Sequence, residues 1–343
     1  MQTAYVTDAR FAQHTLAEHP EHAGRLTAIE DRLVVDGLRD RLLAVEPRPA
    51  TDDDLLAVHD QQYLSRLDQI GGQDGLTMFG PDTYVLPASY SIARLAAGAV
   101  LQVVDMVVTG RAANGLAAVR PPGHHATRSM AMGFCLLNNV AIAARYAQRE
   151  HRIGRVLIVD YDVHHGNGTQ DIFYADSSVY YISTHQSPLY PGTGDVMEIG
   201  VGEGEGFTLN IPLAPGIGDN GYLQVFEELA LPAAIRFSPD LILVSVGFDA
   251  HWADPLANMR LTLSGYDRLA RLLCQLAEQV CGGRIIFVLE GGYNLQVLSH
   301  GWANVARALL GDSEIADPIG PTREIHRPLE GLIAHIKGLH GFS

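Results

Sequence analysis

Cysteine is scarce in this chain. Its three cysteines, Cys135, Cys274 and Cys281, show no CxxC or other metal-ligand spacing, and their odd number does not fit a disulfide framework. This excludes a cysteine-based metal site and a small disulfide-rich fold. We expect buried, reduced thiols, as in a cytoplasmic protein.

Positive charge is also scarce, with 24 Lys and Arg against 39 Asp and Glu, a formal net charge of −15. Binding to a nucleic-acid backbone depends on Lys and Arg that neutralise phosphates, so we expect no nucleic-acid partner. The negative electrostatic potential would favour a cationic substrate, although an excess of acidic residues more often serves solubility.

Long apolar runs are missing as well. No uninterrupted stretch approaches about 18 apolar residues, and the first residues, MQTAYVTDARFAQH, lack a basic segment followed by an apolar one. We therefore expect no membrane association and a cytoplasmic location. Because no linker or repeat divides the chain, we expect a single domain over residues 1–343.

From about residue 115, short runs rich in Val, Ile and Leu alternate with longer helical patterns such as 136–149 and 266–280. Apolar runs without polar alternation are typical of a parallel sheet covered by helices on both faces. The first 110 residues look mostly helical, with candidates at 24–38, 51–68 and 87–109. The six predicted strands are 115–119, 155–159, 179–183, 207–211, 241–246 and 284–289.

Polar residues follow four of these runs, at 120–125, 160–168, 247–251 and 290–294. Ligands of open parallel sheets bind beyond the carboxyl ends of the strands, so these segments should meet at one rim. Any one of them could be an ordinary strand-to-helix loop, in which Asp, Asn and Gly serve as caps and turn formers. The coincidence of four such segments favours a functional site.

Three of these residues suit a metal ion. Asp162 and His164 lie two apart, so on an extended segment both side chains face the same way. Asp249, from another strand end, completes a set of two carboxylates and one imidazole with open positions, which is typical of a catalytic metal site. The donors fit Zn²⁺, and Fe²⁺, Co²⁺ or Mn²⁺ could also bind.

Hydrolysis at such a metal needs a base for the attacking water and a donor for the developing oxyanion. His124 and His125 are candidate bases, and we expect adjacent residues on an extended loop to diverge into separate roles. Asp160 and Asn167 could orient the imidazoles through the second ring nitrogen. Tyr293, which follows two glycines, could donate its phenolic proton to the oxyanion.

Six segments together resemble the zinc-dependent histone deacetylase superfamily, in a form similar to its class II branch and to acetylpolyamine amidohydrolases. The resemblance extends over most of the chain, from HPEHAGRL (19–26) to the terminal helices. It implies one three-layer arginase-like α/β domain with a mostly parallel central sheet of about eight strands. In it, residues 1–110 form part of the rim and the loops within 115–300 carry the chemistry. The segments are RPPGHHA (120–126), GFCLLNNVAIAA (133–144), VDYDVHHGNGTQ (159–170), PGTGD (191–195), SVGFDAHWADPL (245–256) and LEGGYN (289–294).

The resemblance implies zinc bound by Asp162, His164 and Asp249, and Tyr293 as the transition-state donor. It makes His125 the general base, oriented by Asn167, and His124 the electrostatic or acid partner, oriented by Asp160. Class I members carry a second aspartate where this chain has Asn167, so the basicity of His125 should be lower here.

The resemblance further implies an acyl-lysine tunnel walled by Phe134 and Tyr190, with Gly133 beside it and Leu256 at its mouth. Polyamine-selective relatives carry a glutamate at the position of Leu256. Acylated lysine in a peptide or protein is therefore the expected substrate, and an acetylated polyamine is the alternative. The resemblance also implies a structural K⁺ bound by backbone atoms of Asp160, Asp162, His164, Ser183 and Thr184.

Two rival functions remain at this point, and a homo-oligomer is left open. An arginase or agmatinase would share the fold, but it needs two metals bridged by several aspartates, and the 160–164 segment has too few suitably placed ligands. A non-catalytic acyl-lysine binder would share the site, but the metal ligands, both histidines and Tyr293 are all present. The number of metal ions per chain distinguishes an arginase or agmatinase from a deacetylase. Hydrolysis of an acetyl-lysine peptide distinguishes an enzyme from a non-catalytic binder.

Overall fold

A central sheet of eight strands runs through the structure, a computed structural model that describes residues 2–325 and 327–342. The strands are β1 (Thr3–Val6), β2 (Leu43–Ala44), β3 (Thr77–Phe79), β4 (Thr83–Val85), β5 (Asn114–Ala117), β6 (Val156–Asp160), β7 (Val179–Gln186), β8 (Thr208–Leu213), β9 (Leu241–Val246) and β10 (Ile285–Leu289). The sheet order is β2-β1-β5-β10-β9-β6-β7-β8, and every neighbouring pair is parallel. This confirms the predicted parallel sheet of about eight strands.

The six predicted strands are β5 to β10, each displaced by no more than a few residues. Every residue of β6, β7, β9 and β10 is buried, which explains why these strands lack polar alternation. Helices therefore cover both faces of the sheet, as predicted.

The N-terminal region is mostly helical, as expected, but it also contains short strands that were not predicted. It supplies β1 and β2 to the central sheet, and β3 and β4 form a separate antiparallel hairpin. These strands have only two to four residues, too few for an alternation to stand out in the sequence. The helix predicted at 51–68 is also divided in two, because the chain turns at residues 57–60.

Two groups of helices pack on the sheet. In one group α1, α10 and α9 pack in series, and in the other α4 packs on α5. The helices are α1 (Gly24–Val35), α2 (Asp52–Leu56), α3 (Gln61–Gly71), α4 (Ser89–Val108), α5 (Asn139–His151), α6 (Asn167–Phe173), α7 (Asp219–Val225), α8 (Leu231–Phe237), α9 (Leu263–Cys281), α10 (Leu295–Leu310) and α11 (Glu330–His340).

Helix α4 is long and apolar enough to span a membrane by length and composition alone. However, 67% of its most apolar window is buried inside the fold, where it packs against α5, β1 and β5. A buried core helix can have the same length and apolar composition, so these two properties of α4 are weak support for a membrane span.

Candidate metal centre and active site

The three predicted metal ligands converge at the carboxyl ends of β6 and β9. Donor atoms of Asp162, His164 and Asp249 all lie within 4.8 Å of one another. The Nδ1 atom of His164 lies 3.1 Å from Asp162 Oδ1 and 3.2 Å from Asp249 Oδ2. No hydrogen-bond donor is aimed at the buried Asp249 Oδ2 from the part of the chain that the structure describes. Two carboxylates, an imidazole and an unsatisfied oxygen fit a divalent cation.

The chain brings Asp162 and His164 together by a turn rather than by an extended segment. Strand β6 ends at Asp160, and the His164 backbone N–H then donates to Asp162 Oδ1 over 2.9 Å. The expectation of an extended segment was wrong, because the short aspartate side chain captures a local backbone N–H and bends the chain. Asp249 is held to the same turn, since its Oδ1 accepts from the Val163 N–H at 2.9 Å.

The two adjacent histidines lie side by side instead of diverging. Their ring centroids are 4.0 Å apart, because residues 124–125 form a turn. Their partners nevertheless differ: His124 Nδ1 lies 3.1 Å from Asp160 Oδ2, and His125 Nδ1 lies 2.8 Å from Asn167 Oδ1. These are the two pairings that the resemblance implies.

The electrostatic surroundings of the two imidazoles are opposite in sign. Burial disfavours the charge of His124, but the neighbouring Asp160 and Asp162 carboxylates raise its pKa to about 10. Burial, together with the positive His124 and His164, lowers the pKa of His125 well below its ordinary value. The asparagine partner offsets little of this shift, so His125 is neutral at neutral pH.

Tyr293 reaches the site from a tightly packed glycine turn. A Cβ on Gly291 would meet carboxylate oxygens of Asp249 and Asp162 at 2.3 and 2.5 Å, and Gly292 has a φ of +111°. Only glycine fits both positions. The Tyr293 ring then lies 5.8 Å from the Phe134 ring, and burial raises the pKa of its phenol well above the ordinary value.

A narrow pocket with a volume of about 190 Å³ opens above these groups. All four predicted substrate-contacting residues line it, namely Gly133, Phe134, Tyr190 and Leu256, and so do His125, His164 and Tyr293. Gly133 has a φ of +56°, and a Cβ there would lie 2.2 Å from the His125 ring, so only glycine lets the pocket wall approach His125 this closely. Asp82 and Leu189 also line the pocket, although the sequence did not single them out.

Comparisons with known proteins agree with this geometry. The sequence profile of the histone deacetylase domain matches residues 19–309. The chain belongs to the histone deacetylase family. As a member, it is a deacetylase of a metal-dependent hydrolase family, and its predicted fold and family resemblance are confirmed.

Several relatives of this deacetylase cover most of its length. Histone deacetylase 14, chloroplastic, of Arabidopsis thaliana is 43% identical over 95% of this chain and 82% of the relative. The histone deacetylase-like amidohydrolase of Pseudomonas aeruginosa is 41% identical over 91% of this chain and 82% of the relative. Polyamine deacetylase HDAC10 of Homo sapiens is 43% identical over 92% of this chain and 48% of the relative. The crystal structure of the HDA15 HD domain superposes with a TM-score of 0.89 at 39% identity, covering 99% of this chain and 94% of that one.

A buried charge network beneath Tyr293 escaped the sequence analysis. Arg25 donates to the carbonyls of Gly292 and Glu290 over 2.9 and 2.6 Å, and its guanidinium lies 5.1 Å from the Tyr293 ring centroid. Glu21 accepts from Arg25 over 3.2 Å and from Arg120. The N-terminal third of this deacetylase therefore supports the active site. The signal in the sequence was a Glu–Arg pair four residues apart, with Glu21 just before α1 and Arg25 in its first turn.

Three further buried groups, His124, Cys135 and Glu290, lie close enough to suggest a second metal position. Their heteroatoms are engaged otherwise. Glu290 Oε2 accepts the N–H groups of Gly123 and His124 at 2.6 and 3.1 Å, and Glu290 Oε1 accepts from the Ser245 hydroxyl at 3.0 Å. We interpret this cluster as a hydrogen-bond network that supports the His124 turn.

The five residues of the expected K⁺ site lie at the carboxyl end of β6 and beside it on β7. Asp160 and Ser183 are register partners in the sheet, and Asp162 and His164 follow in the turn after β6. The buried hydroxyl of Thr184 has no hydrogen-bond partner within the described residues. This unsatisfied oxygen fits a nearby cation.

Proposed function

We propose that this family member is a zinc-dependent deacetylase that removes an acetyl or other short acyl group from an acylated lysine side chain. The observation that carries the proposal is the convergence of Asp162 and Asp249 on His164, which lines the same pocket as His125 and Tyr293. These three ligands would hold Zn²⁺, which supplies Lewis acidity toward the amide carbonyl and the attacking water.

The protein's own groups can then divide the proton transfers. Asn167 Oδ1 accepts from His125 Nδ1–H, which leaves the other ring nitrogen of the neutral His125 basic and able to take a proton from the attacking water. His124 stays protonated beside Asp160 and contributes positive charge. The Tyr293 phenol stays protonated and donates a hydrogen bond to the carbonyl oxygen as negative charge develops there.

The pocket mouth supports acyl-lysine as the substrate. Phe134 and Tyr190 provide aromatic walls for an alkyl chain, and Leu256 presents an apolar side chain at the mouth. A peptide backbone can lie across such a rim with only the lysine stem inside, whereas a second ammonium group of a polyamine would be desolvated without a partner.

An acetylated polyamine is the second candidate, and one observation favours it. Asp82 also lines the pocket, so a carboxylate is present near the mouth despite Leu256. The relative named polyamine deacetylase HDAC10 is 43% identical over 92% of this chain. The net charge of −15 would attract polyamines too, but such steering is screened beyond about 8–10 Å at ordinary salt.

The test compares kcat/KM for an acetyl-lysine peptide and for acetylspermidine at physiological salt. We expect the peptide to be the better substrate and Leu256→Glu to shift the preference toward the polyamine. The matched control is Leu295→Glu, which adds the same charge at an exposed position outside the pocket and should leave the preference unchanged. A wild-type preference for acetylspermidine would overturn the choice of substrate. No hydrolysis of either substrate by the metal-loaded protein would instead favour an acyl-lysine binder.

The identity of the metals and the cellular location are also part of the proposal. The donor set supports Zn²⁺ over a softer ion, and the unsatisfied Thr184 hydroxyl supports K⁺ near the carboxyl end of β6. Metal analysis of the purified protein should find one Zn²⁺ per chain, whereas two Mn²⁺ would indicate an arginase-type site. Three unpaired cysteines support a reducing compartment such as the cytoplasm.

A further inference from the structure

One buried carboxylate, Asp254, connects the two loops that carry the chemistry. It belongs to the loop after β9, which also bears Asp249, and it is only 6% exposed. Its Oδ2 accepts the backbone N–H groups of Tyr293 and Asn294 at 2.8 and 3.2 Å. Its Oδ1 accepts the backbone N–H of Leu256 at 3.0 Å. A single side chain thus connects the Tyr293 loop to the loop that forms the pocket mouth.

This connection is one of three side-chain anchors described for the Tyr293 loop. At the front of the loop, the Gly291 N–H donates to Asp162 Oδ2 over 2.8 Å, and Arg25 donates to the Gly292 carbonyl over 2.9 Å. At the back, Asp254 holds Tyr293 and Asn294, and Asn294 Nδ2 donates to the Ala253 carbonyl over 3.0 Å. Asp254 is the anchor that bonds the Tyr293 N–H itself, so it acts directly on the backbone that carries the ring into the pocket.

The position of the phenol depends on this backbone path more than on its own side-chain contacts. The ring has Phe134 on one side and the Arg25 guanidinium on another, both at more than 5 Å between centres. Such aromatic and cation–π contacts tolerate sliding of the ring, whereas a hydrogen bond to a developing oxyanion needs its donor within a few tenths of an ångström. The carboxylate that holds the backbone is therefore well placed to control that distance.

We propose that Asp254 is a positioning residue for deacetylation, which acts by holding the Tyr293 hydroxyl at its working distance from the substrate carbonyl. The inference rests on the proposed function, because it assigns Tyr293 the role of donor. Asp254 itself lies behind the pocket wall and is not among the residues that line the pocket in the described part of the chain.

Alanine at this position tests the idea, and asparagine is the nearly isosteric comparison. A carboxylate offers acceptors on both oxygens, but asparagine offers one acceptor and one NH₂ group. With its oxygen toward the two N–H groups of Tyr293 and Asn294, Asp254→Asn loses only the Leu256 bond and still holds Tyr293. Asp254→Ala removes both acceptors and releases both loops.

We expect Asp254→Ala to lower kcat at least tenfold, because small displacements of a catalytic group cost about that much or more, while zinc content changes little. Asp254→Asn should lower kcat less, because it can still accept from the Tyr293 N–H. The decisive step repeats Asp254→Ala in a Tyr293→Phe background. If Asp254 acts through the Tyr293 hydroxyl, the second substitution should change kcat less than about threefold, because coupled residues are not additive. A general structural defect would instead reduce kcat by the same factor in both backgrounds.

The matched control is Asp240→Ala. Asp240 Oδ2 also accepts a backbone N–H, that of Arg155 at 2.8 Å, but it lies at the amino ends of β6 and β9, away from the pocket. This variant should leave kcat unchanged in both backgrounds. If Asp254→Ala does not give folded protein, Asp254→Ser, which keeps one hydroxyl acceptor, goes through the same cycle.

The outcomes separate this inference from the proposed function. An Asp254→Ala variant with the kcat of the wild type, or an equal loss of kcat in both backgrounds, would overturn the positioning role. The deacetylase assignment would still stand, because the wild type hydrolyses the substrate in either case. No turnover by the zinc-loaded wild type would remove the proposed function itself.

Discussion

Removal of a single oxygen atom, in Tyr293→Phe, tests the proposed chemistry most directly. The phenylalanine ring can keep the contacts with Phe134 and the Arg25 guanidinium, so the pocket should retain its shape. The three metal ligands are untouched, so zinc content and KM should stay near wild type. Only the hydrogen bond to the developing oxyanion is lost.

The expected size of the effect follows from that single donor. Loss of one oxyanion donor typically lowers kcat by about 10²–10³, or roughly 3–4 kcal/mol of transition-state stabilisation. Burial raises the pKa of the Tyr293 phenol well above its ordinary value, so the hydroxyl stays protonated throughout the working range. The ratio of wild-type to variant kcat should therefore be constant between about pH 6 and 9.

The assay is steady-state hydrolysis of a fluorogenic acetyl-lysine peptide, together with metal analysis of each preparation. Tyr180→Phe is the matched control, because Tyr180 is a buried tyrosine at the amino end of β7, away from the pocket. It should keep the wild-type kcat. Wild-type turnover by Tyr293→Phe would show that the donor has been assigned wrongly, and loss of zinc from that variant would point to a structural role.

Three further predictions concern other parts of the structure. Asp249→Ala should lose zinc and activity together, because one of three protein ligands is removed; an active variant with bound zinc would contradict the ligand assignment. His125→Ala should lower kcat/KM by about 10²–10⁴ and more than His124→Ala does, since His125 is the proposed base; equal losses would remove the distinction. Burial would raise the pKa of Glu21, but Arg120 and Arg25 lower it from 4.5 to about 2. The ionised Glu21 therefore stabilises the folded state above pH 4.5, and this stabilisation is lost as the pH falls toward 2. Glu21→Gln should therefore reduce the slope of the unfolding free energy against pH between about 5 and 3, and an unchanged slope would contradict this assignment.

The sequence pattern was sufficient for six of the eight strands of the sheet and for the edge at which the site lies. Strands such as 156–160 and 241–246 are fully buried, so their apolar composition marks them as strands. The polar residues that follow them had to lie at the carboxyl edge in any parallel arrangement. The short β1 and β2 carry too few residues for such a pattern.

Contacts between distant segments could not be predicted in the same way. The pairing of Arg25 with the carbonyls of Glu290 and Gly292 joins residues more than 260 positions apart. It depends on where α1 and the loop after β10 meet in the fold, and no local periodicity encodes that meeting. The turn at Asp162 was missed for a different reason, because a side-chain hydrogen bond to the His164 N–H outweighed the extended conformation suggested by spacing.

The order of strands explains why four loops far apart in the chain make one site. Strands β5, β10, β9 and β6 are consecutive neighbours in the sheet, so the loops that follow them lie side by side. With neighbouring strands about 4.8 Å apart, the four strands span roughly 14 Å, a width that side chains can bridge from both sides. The proposed metal ligands come from the adjacent β6 and β9, Tyr293 follows the next strand, β10, and the histidine pair follows β5. The proposed base and donor therefore approach these ligands from the same side of the sheet order. The loop after β9 lies between the loop after β10, which carries Tyr293, and the loop after β6. This is why a carboxylate in the loop after β9, Asp254, can reach the backbone of Tyr293.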